Sequence, residues 1–210
     1  MAVKELRADA KRNREQILLA AQQVFLDHGP EAPLDRIAER AGIGNATLYR
    51  HFPTRAELIR AVAIDRMAQV TDAANRALAT QPTAREALAA FAREVVERRI
   101  VAMLPILGGH LEESADFTTA RSTLVVAVDA LTTAAHEQGA LRADLGTADL
   151  VMFLTVLTRP LPALSAAFND EVRARMLTTL LDGMSAAAPT ALPAPLSVER
   201  ITTDLTAERT

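Results

Sequence analysis

Apolar residues recur along most of this chain with the spacing of amphipathic helices, and no segment shows the alternation typical of a strand. The first clear repeat places Ile17, Ala21 and Phe25 on one helix face, and Gly29 followed by Pro30 ends that helix. Because the same period continues through most of the sequence, the pattern predicts an all-α fold.

Two short helices follow the first. Leu34, Ile37 and Ala41 form an amphipathic unit of two turns, which a glycine-containing segment then breaks. The next segment, 45–52, is shorter still, and Pro53 stops it because proline cannot continue the helical hydrogen-bond ladder. A short helix, a glycine-containing turn and a second short helix are the arrangement called helix-turn-helix, so the pattern predicts a compact three-helix bundle of that kind.

Longer helices are predicted downstream. Thr54 with Glu57, and Thr83 with Glu86, have the spacing of a capping box, in which side chains satisfy backbone N–H groups at a helix start. The helix after Thr83 is expected to end near residue 104. Further helices are predicted at about 117–137, 147–158 and 170–187, and the proline-containing residues 188–210 are predicted to form a loose tail.

Composition excludes several classes of protein. The 210 residues contain no cysteine, which rules out disulfide scaffolds, thiolate metal sites and thiol catalysis. The longest apolar runs fall short of the roughly 18 residues that a membrane span needs, and the charged residues 1–16 lack the apolar core of a signal peptide. We therefore expect a soluble, cytoplasmic protein that does not enter the membrane.

The formal net charge of −3 argues at first against a nucleic-acid binder, because such proteins usually carry a basic surplus. The charge is unevenly distributed, however. Residues 1–60 contain ten Lys and Arg against eight Asp and Glu, a net charge of +2, whereas residues 61–210 carry −5. A small basic arm, with five cations between Lys4 and Arg14, precedes the first apolar repeat. The first sixty residues thus remain compatible with DNA binding.

The third short helix would present a surface suited to DNA. At 100° per residue, Leu48 and Phe52 share the inward face, whereas Ala46 and Arg50 lie nearly opposite. A small side chain permits close approach to the major groove, arginine can pair with guanine O6 and N7, and the flanking Thr47 can bond phosphate.

Two neighbouring residues extend this candidate surface. Asn45 could bond an adenine edge or a phosphate. Arg55 lies in the first turn of the next helix, where the helix dipole disfavours a cation and a DNA phosphate would reverse that effect. A solvated Arg55 without a partner is the alternative interpretation.

Three ordered sequence blocks carry a resemblance to a known family. They are Ile-Leu-Leu-Ala-Ala-Gln-Gln-Val-Phe-Leu-Asp-His-Gly at 17–29, Ile-Ala-Glu-Arg-Ala-Gly-Ile at 37–43, and Thr-Leu-Tyr-Arg-His-Phe-Pro-Thr-Arg-Ala-Glu-Leu at 47–58. Over about residues 10–60 the chain resembles the DNA-binding domain of the TetR family of bacterial transcriptional regulators. Two positions depart from the family pattern: Gly44 and Pro33 stand where the family commonly has Ser or Thr, which removes up to two hydroxyl contacts to phosphate.

The resemblance implies a helix-turn-helix DNA-binding domain at 1–60, a helical effector-binding and dimerisation domain at 61–187, and a flexible tail at 188–210. It also implies a homodimer that binds a palindromic operator, acts as a repressor, and releases DNA on binding a small apolar effector. By the resemblance Asn45, Ala46 and Arg50 are base-facing, and Thr47, Tyr49, His51 and Arg55 are phosphate-facing.

The later helices supply candidates for an effector pocket and an interface. The candidate pocket residues are Phe91, Val95, Met103, Leu107, His110, Met152 and Phe153, with ordinary core as the alternative for each. The apolar segments 150–164 and 172–184 are rich enough to pack against a second copy.

An all-helical enzyme or a small-molecule carrier is the alternative function. Neither a glycine-rich phosphate loop nor a zinc-binding histidine pair is present in the sequence. Asp129 with His136, and His110 with Glu112, Glu113 and Asp116, are the polar groupings that could hold a metal, with a solvated loop as the alternative for the second. We therefore predict no catalytic residue, no cofactor and no metal site.

Overall fold

A computed structural model describes residues 2–107, 110–111, 114–159, 161, 164–185, 190–194 and 196–206. Every regular element within those ranges is helical, which confirms the predicted all-α fold. The helices are α1 (Ala2–His28), α2 (Leu34–Ala41), α3 (Asn45–His51), α4 (Arg55–Thr80), α5 (Ala84–Glu97), α6 (Leu104–Leu107), α7 (Ala115–Glu137), α8 (Thr147–Leu157), α9 (Ala166–Met184) and α10 (Val198–Thr206), with a 3-10 turn at Ile100–Met103.

The first three helices form the predicted N-terminal bundle. Its core contains Ile17 and Phe25 from α1, Ile37 from α2 and Leu48 from α3, each at most 1% exposed. These are the positions that the helical period places inward, so burial of this apolar face holds the bundle together. Helix α1 begins well before the bundle, because the basic arm is a helical extension of it.

Helix α4 connects the bundle to the rest of the molecule. Thr54 caps it, its Oγ1 accepting a hydrogen bond of 3.2 Å from the backbone N–H of Glu57. The helix then packs along α5 and α7 through buried residues such as Met67 and Val70. Because α4 runs without interruption from residue 55 to residue 80, a movement within the later helices can reach the bundle through one rigid element.

The structure differs from the prediction at the end of α5 and at the start of α9. Helix α5 ends at Glu97 rather than near residue 104, because Arg99 adopts a positive φ of 50° and turns the chain into the 3-10 segment. Helix α9 begins at Ala166 rather than near 170, since Ser165 caps it by accepting a hydrogen bond from the N–H of Phe168. By contrast, the predicted helix at 147–158 is confirmed, with Thr158 as its C-terminal cap.

The C-terminal segment also differs from the predicted loose tail. Residues 198–206 form α10, which packs against α8. Arg142 Nη2 donates to the carbonyl of Thr190 at 2.6 Å, and Asp144 Oδ2 accepts from the N–H of Leu192 at 3.2 Å. Hydrogen bonds from Arg142 hold the pKa of Asp144 at about 2, so this carboxylate stays charged and can anchor the segment. None of the described helices is long and apolar enough to cross a membrane.

Candidate nucleic-acid interface

The turn between α2 and α3 depends on Gly42. This residue has a φ of +67°, the left-handed conformation that glycine adopts without steric cost. The N–H of Ile43 then donates to the carbonyl of Ala38 at 3.0 Å, which closes the end of α2 as in a Schellman motif. Helix α3 begins directly after Gly44, whose carbonyl accepts from the N–H groups of Thr47 and Leu48.

Helix α3 is anchored on one side and open on the other. Leu48 is 1% exposed and Phe52, just after the helix, is 3% exposed. The opposite face carries Asn45, Ala46, Tyr49 and Arg50, which are all exposed, with Thr47 and His51 half-buried at its edges. The structure therefore brings six of the seven predicted DNA-binding residues onto one helix, with Ala46 and Arg50 turned away from the core.

Local hydrogen bonds position two polar side chains of this face, Arg50 and Asn45. Arg50 Nη2 donates to Thr47 Oγ1 at 3.2 Å, and Asn45 Nδ2 donates to Asp35 Oδ1 at 2.9 Å. Arg50 can leave such an exposed bond at little cost, because water replaces the lost partner. Asn45 instead links the start of α3 to the start of α2, a contact that helical periodicity does not predict.

Arg55 has partners that sequence reasoning missed. Its Nη1 donates to the backbone carbonyls of Pro30 and Ala32, at 2.7 Å each. The side chain therefore ties the start of α4 to the loop between α1 and α2, and the interpretation of Arg55 as a solvated, unpartnered cation is wrong. Its predicted contact with phosphate remains a prediction, to be made by the donors that these carbonyls leave unused.

Other arginines brace the bundle from its surface. The guanidinium of Arg14 lies 5.2 Å from the ring centroid of Phe52, within the range of a cation–π contact. Arg40 Nε donates to Gln23 Oε1 at 2.5 Å, which joins α2 to α1. Arg14 therefore lies beside the end of α3, where it adds positive potential as well as holding the helices in place.

A polar network lies between α1 and α4. Arg66 is 9% exposed and donates to Gln22 Oε1 and to Gln69 Oε1, while Asp65 Oδ2 accepts from both Gln22 and Gln69. Burial lowers the pKa of Arg66 to about 10, so the guanidinium is still charged at neutral pH. The sequence held a signal for it, since Arg66 is spaced four residues from Val62 and Val70 on the apolar face of α4.

The candidate effector residues do not gather around one described cavity. Phe91, Val95, Met103 and Leu107 are at most 1% exposed and belong to the hydrophobic core. They do not line the groove between α8 and α9 or the cavity between α5 and α9, and their role as effector-pocket residues stays a prediction.

The other three candidates lie elsewhere. Phe153 lines an open groove between α8 and α9, and Met152 beside it is half-buried. His110 is exposed, with its Nδ1 3.4 Å from Glu31 Oε1.

The metal candidates gain no support from the structure. Among the described residues, no three His, Cys, Asp or Glu side chains lie close enough to hold a metal ion. Asp129 accepts a hydrogen bond from Thr147 Oγ1 at 2.9 Å. Glu112 and Glu113, which were grouped with His110, lie outside the described residues.

Comparison with known proteins identifies the family. The sequence model described as "Bacterial regulatory proteins, tetR family" matches residues 17–62. A solved TetR transcription regulatory protein from Mycobacterium vanbaalenii is 33% identical, with a TM-score of 0.62, over 86% of this chain and 99% of that one. The chain belongs to the TetR family. It is therefore a DNA-binding transcriptional regulator and not an enzyme.

Two curated TetR-type relatives from Mycolicibacterium smegmatis differ in the sign of regulation. The transcriptional activator FasR is 38% identical over 78 residues, which are 37% of this chain and 36% of FasR. The transcriptional repressor LfrR is 38% identical over 90 residues, 43% of this chain and 45% of LfrR. The chain thus aligns with less than half the length of either relative.

The fold likeness to LfrR extends further than the sequence alignment. The structure of LfrR in complex with proflavine covers 86% of this chain and 98% of that one, with a TM-score of 0.62 and 22% identity. This likeness concerns the fold alone.

Proposed function

We propose that this TetR-family regulator is a cytoplasmic repressor that binds a palindromic operator as a homodimer and is released by a small apolar effector. In this proposal residues 1–60 bind DNA, residues 61–187 bind the effector and the second subunit, and residues 188–210 are an appended segment. The observation that carries the proposal is the surface of α3, where Arg50 and Ala46 are exposed on a helix fixed by buried Leu48.

The geometry of α3 supports separate tasks for its residues. Asn45, Ala46 and Arg50 would face base edges in the major groove, where an arginine can make a bidentate contact to guanine. Four further residues would contact phosphates and fix the orientation of the helix on the duplex: Thr47, Tyr49, His51 and Arg55. Arg50 is held by one exposed hydrogen bond to Thr47, so it can turn towards a base without breaking the bundle.

Exposed apolar side chains on α8 and α9 are the observation that supports the proposed dimer. Val156 on α8 is 61% exposed, and Phe168 and Met176 on α9 are 48% and 51% exposed. An open groove of about 870 Å³ lies beside them, lined by Phe153 and Leu180 among others. A second copy related by a twofold axis would remove these apolar surfaces from water and form a four-helix interface.

One relative supports a repressor that responds to a small molecule, whereas FasR is an activator by name. LfrR is a repressor by name, and its structure contains proflavine. The apolar cluster that includes Phe91, Val95 and Met103 lies beside α4, the helix that begins at the DNA-binding bundle. In this proposal an effector opens the cluster towards Leu107, His110, Met152 and Phe153 and shifts α4. The shift of α4 would change the spacing between the two copies of α3, the recognition helix, in the dimer.

Selection of duplex DNA from a random pool, followed by binding measurements on Arg50→Ala, tests this function. We expect the purified protein to enrich a palindromic site at moderate salt. Arg50→Ala should weaken binding to that site by about 1–3 kcal/mol and relax the base preference at one position of each half-site. Arg200→Ala, which removes an exposed cation on α10, is the matched control and should bind normally. Failure to enrich any duplex would reject the proposal.

A further inference from the structure

A cavity lies between α5 and α9, away from the recognition helix. This α5–α9 cleft has a volume of about 400 Å³, within the range of small-molecule sites. Val96, Leu177 and Leu181 form an apolar wall, whereas Arg93 and Arg173 bring two guanidinium groups to the same space. The cleft therefore combines an apolar wall with charged side chains of both signs, because Glu97 and Asp170 also line it.

Arg173 is the unusual residue of the cleft. Its side chain is only 7% exposed, and its Nη2 donates to Asp170 Oδ1. Its Nη1 is hidden from solvent and has no hydrogen-bond partner within the described part of the chain. A buried donor without an acceptor is unfavourable by about 1–3 kcal/mol, and by more when it is charged. The site thus lacks one acceptor.

The neighbouring charges define what kind of acceptor would fit. Asp170 is already used twice, because Arg99 Nη2 also lies 3.3 Å from its Oδ1, and these two arginines lower the pKa of Asp170. Arg93 is exposed at the cleft and makes no ion pair or hydrogen bond with the described residues. Arg93 can therefore donate to an anion directly, and Arg173 Nη1 can do so once a ligand displaces the atoms that hide it from solvent. Glu97 and Asp170 in the same lining disfavour an anion of high charge.

We propose that the α5–α9 cleft binds a small organic carboxylate. The planar carboxylate accepts from Arg173 and Arg93, a geometry that guanidinium groups match well. The apolar body of the ligand lies against Val96, Leu177 and Leu181. The lining shares no residue with the proposed DNA surface or with the candidate effector pocket, so this inference goes beyond the proposed function.

Calorimetric titration of the full chain with benzoate and octanoate tests the proposal in the absence of DNA. Saturable binding of at least one of these carboxylates is expected, together with a rise in the temperature of unfolding. Benzyl alcohol, which lacks the charge, and inorganic phosphate, which lacks the apolar body, should bind at least about tenfold more weakly. Absence of saturable binding by both carboxylates would overturn the proposal, and so would phosphate or benzyl alcohol binding as tightly.

Substitutions locate the site. Arg93→Gln and Arg173→Met should each weaken carboxylate binding at least about tenfold, because each removes one charged donor. Arg159→Gln, at an exposed position outside the cleft, should leave the affinity unchanged. If Arg173→Met does not fold, Arg93→Gln decides alone. Undiminished binding by Arg93→Gln, or an equal loss in Arg159→Gln, would overturn the assignment, and neither result bears on operator binding.

Discussion

Arg50 and Arg55 are five residues apart in the sequence, yet their side chains are held in different ways. Arg50 is exposed and, within the described part of the chain, its side chain bonds only Thr47, at 3.2 Å. Arg55 is half-buried and donates to two carbonyls more than twenty residues away, at 2.7 Å each. Removal of Arg50 should therefore affect DNA binding alone, whereas removal of Arg55 should also lower the stability of the N-terminal bundle.

We expect Arg55→Ala to lower the free energy of unfolding by about 1–3 kcal/mol, since hydrogen bonds to charged groups contribute about that much and two carbonyls lose their donor. The same change should lower the salt slope of operator binding, which is the slope of the logarithm of affinity against the logarithm of salt concentration, by about one. The expected reason is the loss of one phosphate contact made by the remaining guanidinium donors. Chemical denaturation and binding measured at several salt concentrations give the two values.

These two effects are separable. Arg200→Ala, on α10, serves as the control for loss of a distant positive charge. A salt slope that stays unchanged in Arg55→Ala, together with the expected loss of stability, would make Arg55 a structural residue and remove it from the phosphate-facing set.

At the scale of elements, two glycines flank Ile43 in the turn between α2 and α3 and differ in backbone conformation. Gly42 has a φ of +67°, whereas Gly44 has a φ of −76° and a ψ of 150°, an extended conformation suited to a helix N-cap. A Cβ added at either position would meet nothing within 4 Å. The backbone conformation, rather than the available space, therefore decides which residue types each position tolerates.

The same substitution should have opposite effects at these two positions. Gly44→Ser is expected to raise the free energy of unfolding by a few tenths of a kcal/mol, because a serine hydroxyl can accept an N–H of the first turn of α3. Gly42→Ser should lower it by about 1–2 kcal/mol, the cost of a left-handed residue with a Cβ. Thermal unfolding of both variants measures the difference, and a stabilised Gly42→Ser would contradict this account.

Local signals in the sequence were enough to predict most of the elements. Glycine and proline marked the ends of α1, α2 and α3, and the Thr54 and Thr83 caps marked the starts of α4 and α5. The end of α5 was missed because Arg99, neither glycine nor proline, takes the positive φ.

Features that depend on distant contacts could not be predicted in the same way. The bonds of Arg55 to Pro30 and Ala32, and the acceptors of Arg66, join residues far apart in sequence. Apolar periodicity identified Phe91 and Val95 as buried, but whether a buried face meets a void depends on the packing of several helices at once.

At the scale of the whole molecule, opposite charges are divided between the two ends of α4. The positive surplus of residues 1–60 lies with the recognition helix, and the remainder of the chain is acidic. An acidic body is repelled by DNA phosphate, which weakens nonspecific association and leaves contact to the recognition helices. A dimer would then hold two such helices in fixed relation, so that two half-sites about 34 Å apart, or a multiple of that distance, bind as one ligand.

The strongest test at this scale is disruption of the α8–α9 face. Sedimentation at micromolar concentration should give a dimer for the unmodified chain and a monomer for Met176→Glu, because the partner helix would have to bury an unpaired carboxylate. Val126→Glu is the matched control, since Val126 is 68% exposed but lies on α7. Met176→Glu should also lose most of its operator affinity, although its recognition helix is unchanged. A dimer that survives Met176→Glu, or dissociates equally in Val126→Glu, would place the interface elsewhere.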